Sequence, residues 1–129
     1  MSGPLLDRVD ALIEVPPLTL SGLEQAAETE GSDDVRGRVA GAWAFRRQRL
    51  ARSDVVAGHA LEARSHLTDE ARRLLREALT REGLSGRAYV RIINLARTIA
   101  DLDKVMPVGA DHVAEALSLR LDRRRAGLL

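Results

Sequence analysis

Residues 84–102 read LSGRAYVRIINLARTIADL, and their apolar positions Tyr89, Ile92, Ile93, Ala96, Ile99 and Ala100 recur at intervals of three and four. Arg91, Asn94, Thr98 and Asp101 fall on the other side, so the stretch predicts one amphipathic helix. Gly83 marks the end of whatever precedes it, because glycine enters the left-handed region at little cost. Ser85 then offers its hydroxyl to the first-turn amides as an N-cap. Upstream, Thr68 is the natural cap of a helix whose stripe is Ala71, Leu74, Leu75, Ala78 and Leu79. The link between these two helices is so short that they are expected as near neighbours.

Two further helices follow from the same periodicity. One runs from near Ser32 to about Arg52, with Asp33 and Asp34 in its first turn and an inward stripe of Val35, Val39, Ala42, Trp43 and Leu50. The other covers residues 110–122 after the loop marked by Pro107 and Gly109, with Val113, Ala114, Leu117 and Leu121 inward. Residues 123–129 are expected to fray. Residues 53–67 are undecided, with a short helical turn at 60–65. At the N-terminal end, Val9, Ala11, Ile13 and Val15 alternate with Asp10, Leu12 and Glu14 until Pro16-Pro17, a period-two strand pattern. A lone strand is not stable, so this segment is expected to be disordered, to fold onto the helices, or to pair with another copy. Residues 21–31 carry little periodicity and read as a linker.

Composition agrees with this layout. The chain has 129 residues, 45% hydrophobic and only 2% aromatic, so its core is built from aliphatic side chains that suit helix-on-helix packing. All-α is the expected class: a four-helix bundle over residues 32–122 with an N-terminal strand or extended segment. Twenty basic against 19 acidic residues leave a formal charge of +1, too little for a global field that would draw nucleic acid. Without cysteine there are no disulfides or thiolate metal sites. No apolar run reaches a membrane span and no signal-peptide layout opens the chain, so a cytoplasmic protein without a membrane partner is expected.

Candidate chemistry is sparse. There is no P-loop of the GxxxxGK[ST] type and no Walker-B-like strand end, so this chain alone is expected to be no ATPase and to carry no cofactor of its own. His59, His66 and His112 lack ligand spacing and read as surface histidines, and no metal site is expected. Arg46, Arg47, Arg49 and Arg52 cluster at the end of the Ser32–Arg52 helix, where cations suit the dipole; a solvated face is one reading, and a contact with nucleic acid or a partner's acidic surface is the other. Arg87 is less easily explained, since a cation in a helix's first turn opposes the dipole.

SGRAYVRIINLARTIADL followed by DHVAEAL resembles the C-terminal end of magnesium-chelatase-like AAA+ ATPases, in particular the ComM type, and GPLLDRVDALIEVPPL resembles the segment that ends their ATPase core. The resemblance implies that residues 1–20 are the end of such a core and residues 32–122 its helical lid, the lid module of a ring-forming, most simply hexameric, ATPase. It implies a role for Arg8 as an arginine finger reaching the neighbouring subunit's nucleotide, with Asp7 beside it, and for Arg87 as the sensor-2 arginine, with Arg91 one turn further on. ATP and magnesium belong to the intact parent, neighbouring subunits are its partners, and DNA is the material remodelled in the ComM branch. The competing structural readings are that Arg8 pairs with Asp7 or Asp10 and Arg87 with a carboxylate such as Glu70. A free-standing helical DNA-binding or adaptor module is the alternative. Trp43 and Phe45 depart from the family pattern and leave the register of the first long helix open.

Overall fold

In the computed structural model, which describes residues 8–26, 29–52 and 61–125, the periodic stretches form α1 (Leu20–Glu24), α2 (Ser32–Arg52), α3 (Leu61–Arg64), α4 (Asp69–Glu82), α5 (Gly86–Leu102) and α6 (Ala110–Arg125). The class is all-α, as expected. Extended pairing among the described residues is limited to an isolated parallel bridge between Leu67 and Val108. The caps act as their residue types dictate: the Thr68 hydroxyl accepts from the Ala71 amide at 3.1 Å, and that of Ser85 from the Ala88 amide at 3.2 Å. Gly83 stands at φ 60°, ψ 40°, the left-handed turn that ends α4.

One aliphatic core joins α4, α5 and α6. Leu67, Ala71, Leu75 and Ala78 meet Ile92, Ile93, Ala96, Ile99 and Ala100, and both sets meet Val108, Val113, Ala116 and Leu117. The fully buried Leu75, Ile92, Ile93, Val108 and Val113 each contribute about 1.5–3 kcal/mol of transfer free energy. Contrary to the expectation from their short link, α4 and α5 touch each other less than each touches α6. A three-residue link brings helix ends together but leaves the angle between axes free. On α6 the inward alanine is Ala116, whereas Ala114, expected inward, is exposed. The helix also continues to Arg125, past the expected fraying point.

Arg97 closes the bottom of this core. Its guanidinium donates to the carbonyls of Ser65 at 3.0 Å, Val105 at 2.6 Å and Met106, tying together the two loops that carry the Leu67–Val108 bridge. Val108 and Thr68 add two backbone bonds across the same seam, Val108 N–H to the His66 carbonyl and Thr68 N–H to the Val108 carbonyl. Both loops turn through left-handed residues, His66 at φ 58° and Lys104 at φ 57°.

Helix α2 is docked differently from the sequence expectation. It is an unbroken helix through Trp43 and Phe45, yet no residue of it joins the aliphatic core. Val35, Val39, Trp43 and Leu50, expected inward, are exposed, with Trp43 at 55%. The buried residue is Arg49, at 6% exposure. It grips Asp101 of α5 with two parallel bonds of 3.0 Å, and Asp101, expected on the solvent side, also accepts from Arg97 at 3.2 Å. Burial pushes the Arg97 guanidinium below its usual range, Asp101 opposes that shift, and Arg49 adds to it.

Residues 8–26, ahead of α2, form no strand. Residues 11–19 are irregular, because a strand needs a neighbour and the described residues form no sheet to offer one. The segment folds onto the helices instead: the Leu12 amide donates to the Leu119 carbonyl at 3.3 Å, and Asp10 lies 3.7 Å from Arg91. Its period-two face is not covered, since Ile13 and Val15 stay exposed. Part of the expected linker is the short helix α1, which Thr19 caps by accepting from the Gly22 amide.

Candidate functional site

The N-terminal turn of α5 is shaped by Ser85, whose hydroxyl occupies one amide and leaves the turn's outer side open. Gly86 has nothing within 4 Å of where a side chain would begin. Above it an open cleft of 580 Å³ is lined by Arg8, Gly86, Arg87, Val90 and Arg91. The N-terminal arm, residues 8–19, thus brings Arg8 to the two arginines of α5, three guanidinium groups at the positive end of a helix dipole.

The surroundings leave that charge largely uncompensated. Neither Arg8 nor Arg87 has an ion pair among the described residues; of the two partners the competing reading offered Arg8, Asp10 faces Arg91 instead and Asp7 is outside the described residues. Even that pair is loose, at 3.7 Å from Nε, and Arg91 Nη1 is buried with no hydrogen-bond partner. A buried donor without an acceptor is costly. Among the described residues three arginines face one aspartate here, a surplus of positive charge in guanidinium forks, which can bind an anion's oxygens bidentately.

The remaining expected site residues are scattered. Asp7 and His59 lie outside the described residues. Arg46, Arg47 and Arg52 project outward from α2, with Arg46 stacked 5.5 Å over the Trp43 ring. Arg49 does not belong with them: it is consumed by Asp101 and cannot contact nucleic acid. His112, expected as a surface residue, caps the start of α6. Its Nδ1 accepts from the Gly109 amide at 3.0 Å, so in the neutral ring Nε2 carries the proton and donates to Asp103 at 3.0 Å. His66 is half-buried and acts through its backbone carbonyl. Among the described residues no group of three or more His, Cys, Asp and Glu can hold a metal ion. No helix among them is long and apolar enough to cross a membrane.

A second polar cluster escaped the sequence reading. Tyr89 of α5 donates to Glu62 of α3 at 2.5 Å, and Glu62 lies 3.6 Å from Arg72 and 3.8 Å from Arg76. Burial first, then the bond to Glu62, pushes the Tyr89 hydroxyl up to about 12. The cluster pins α3 beside the first turn of α5.

Residues 29–120 match the family described as magnesium chelatase, subunit ChlI C-terminal. The chain belongs to this family. It is also similar, over 93% of its length, to competence protein ComM of Haemophilus influenzae at 37% identity, and over 95% of its length to YifB of Salmonella typhimurium at 36% and of Escherichia coli at 33%. The chain spans about a quarter of each, 24% of the first and 25% of the other two. This magnesium chelatase C-terminal domain is therefore a homologue of ComM, and the arginines of its cleft stand on the segments that carried the resemblance.

Proposed function

We propose that the domain is the nucleotide-sensing and subunit-contact module of an AAA+ ATPase of the ComM type, its cleft receiving the phosphates of ATP. The observation that carries this reading is the convergence of Arg8 with Arg87 and Arg91, residues from two distant stretches of sequence, the first two without ion-pair partners among the described residues. Because Arg8 and Arg87 line one cleft, they address one polyphosphate together; with Arg8 acting in trans, that nucleotide is held by the neighbouring subunit of a ring. The residues fit such a group, since Arg91 Nη1 is the unsatisfied donor that a phosphate oxygen would complete. They do not fit magnesium, for which the described residues supply no ligand cluster, so on this reading the ion arrives with the nucleotide. Bound ATP would supply the transferring phosphoryl group, and the chain's own part is to hold and sense its charge. An arginine at the start of α5 transmits that charge to the whole helix, and through the core to α4 and α6, as a rigid rotation. By likeness to the ComM branch, the proposal extends to DNA as the material remodelled. The adaptor alternative, with a basic DNA-binding face on α2, is weakened by the loss of Arg49 to the interior.

Titration of the chain with tripolyphosphate and with MgATP, followed by arginine side-chain NMR, tests the reading. Affinity on the order of millimolar is expected for a cleft without a P-loop, with shifts at Arg8, Arg87 and Arg91 that disappear in Arg87→Ala. Absence of those shifts, or their survival in Arg87→Ala, would refute it.

A further inference from the structure

Helix α2 is joined to the rest of the molecule by few contacts. Every residue from Ser32 to Ala40 is exposed, Gly41, Ala42, Ala44 and Phe45 are half-buried, and Arg49 is the buried residue of the helix. None of them belongs to the aliphatic core or packs against it. The main helical neighbour of α2 is α5, yet an apolar groove of 230 Å³ lies between them, lined by Val39, Ala42 and Trp43 on one side and by Thr98 and Leu102 on the other. Side chains facing each other across such a gap forgo the dispersion contacts of a close-packed interface. Lys104 approaches α2 at Gly41, its Nζ 3.2 Å from where a side chain would begin, but it makes no ion pair among the described residues. What limits the attachment is the face of α2 turned toward α5, not the one turned to water.

The buried contact is the grip of Arg49 on Asp101, and the way that carboxylate is shared lets Arg49 leave without stranding a charge. Arg97 reaches Oδ1 alone, with Nε at 3.2 Å and Nη2 at 3.0 Å. Arg49 holds Oδ2 with Nη2 and shares Oδ1 through Nε. When α2 departs, Asp101 stays paired with Arg97 as a neutral couple and its Oδ2 turns to water. Arg49, in the last turn of α2, is hydrated as it leaves, and the repulsion between two guanidinium groups around one carboxylate is relieved. Arg97 has no such freedom, because the carbonyls of Ser65, Val105 and Met106 depend on it. The triad is therefore built to part on the α2 side.

We propose that α2 is a hinged element: it leaves α5 as a unit, with the Arg49–Asp101 pair as its latch, while the core of α4, α5 and α6 stays folded. That core keeps its fully buried Leu75, Ile92, Ile93, Val108 and Val113 in either state, since no α2 residue is part of it. The opening is a sub-global one, lying below complete unfolding in free energy.

Amide exchange of the 129-residue chain, read by NMR at a series of low urea concentrations, tests this. The α2 amides should converge on one opening equilibrium, on the order of a hundredfold or more larger than that of α5, and with a weaker urea dependence than global unfolding because less surface is exposed. Arg49→Lys keeps the charge but not the two-pronged grip. It should raise the opening of all α2 amides about tenfold, the loss of one charge-assisted bond, and leave α4, α5 and α6 unchanged. The chain has no cysteine, so Val39→Cys with Leu102→Cys, two exposed positions on opposite walls of the groove, can be bridged selectively by a bismaleimide. The bridge should slow α2 exchange toward that of α5. The proposal is overturned if wild-type α2 amides are as protected as those of α5, or if they exchange in a gradient from the helix ends rather than together. It is equally overturned if Arg49→Lys speeds exchange in α4, α5 and α6 as much as in α2, or if the bridge leaves α2 exchange unchanged.

Discussion

Removing Asp101 should be among the most damaging single changes to this domain, and the reason lies in charge rather than volume. Asp101 sits between Arg49 and Arg97, all three nearly solvent-free, with side chains 4%, 6% and 8% exposed. With the aspartate present the triad carries a net charge of +1; in Asp101→Ala it carries +2 with no anion in reach. Breaking a buried pair in this way costs about 3–5 kcal/mol, a large share of the 5–15 kcal/mol typical of a domain. The corresponding fall in Tm is on the order of 15–25 °C. Arg49→Leu is the informative contrast, because it leaves Asp101 paired with Arg97 and brings the triad to neutrality. Its cost should be only about 1–2 kcal/mol, concentrated in α2, whose buried anchor is Arg49. Urea denaturation followed by circular dichroism gives the two stabilities. Amide exchange gives their location: in Arg49→Leu, α2 should exchange faster while α4, α5 and α6 stay protected. The reasoning fails if Asp101→Ala costs under about 1 kcal/mol, or if Arg49→Leu costs as much as Asp101→Ala.

Arg87→Ala should change stability by less than about 0.5 kcal/mol, as for an exposed residue with no ion pair among the described residues, while abolishing the anion-dependent NMR shifts; a large loss in thermal unfolding would make Arg87 structural. Gly83→Ala should cost about 1 kcal/mol in urea denaturation, and this is backbone strain alone, because nothing lies within 4 Å of the added methyl. Ile93→Ala, by contrast, empties a fully buried site and should cost about 2–5 kcal/mol. Tyr89, the sole tyrosine, should titrate by ultraviolet absorbance near about 12 in the folded chain, against about 10 when unfolded. The raised value means that folding favours the protonated phenol, so the stability it contributes is complete below about pH 10 and is lost as pH rises from there through about 12. Glu62→Gln should lower that titration, since it removes the carboxylate that holds the proton in place.

Much of this fold is legible in the sequence. Thr68, Ser85 and Gly83 announce their helix ends because capping is a transaction within a few residues of chain, and the stripe of Ile92, Ile93, Ala96, Ile99 and Ala100 is a property of one helix's period. The segments carrying Arg8 and Arg87 were likewise separable from the rest, one by its likeness to a known motif and the other by its opposition to a helix dipole. What periodicity does not contain is which side of a helix meets a neighbour. On α2 the apolar side, Val35, Val39 and Trp43, stays in water, and the helix docks through Arg49, because its acceptor Asp101 lies 52 residues away in sequence. Nothing local in either segment marks the two as a pair. Arg97 and Asp101 did carry a hint in their four-residue spacing, but an exposed and a buried ion pair share that spacing. Only the packing of the chain decides which it is, because only packing removes the water that would otherwise screen the charges. The same holds for the cleft: sequence singled out Arg8 and Arg87 separately, and it took the arm's folding across α5 and α6 to bring them to one place.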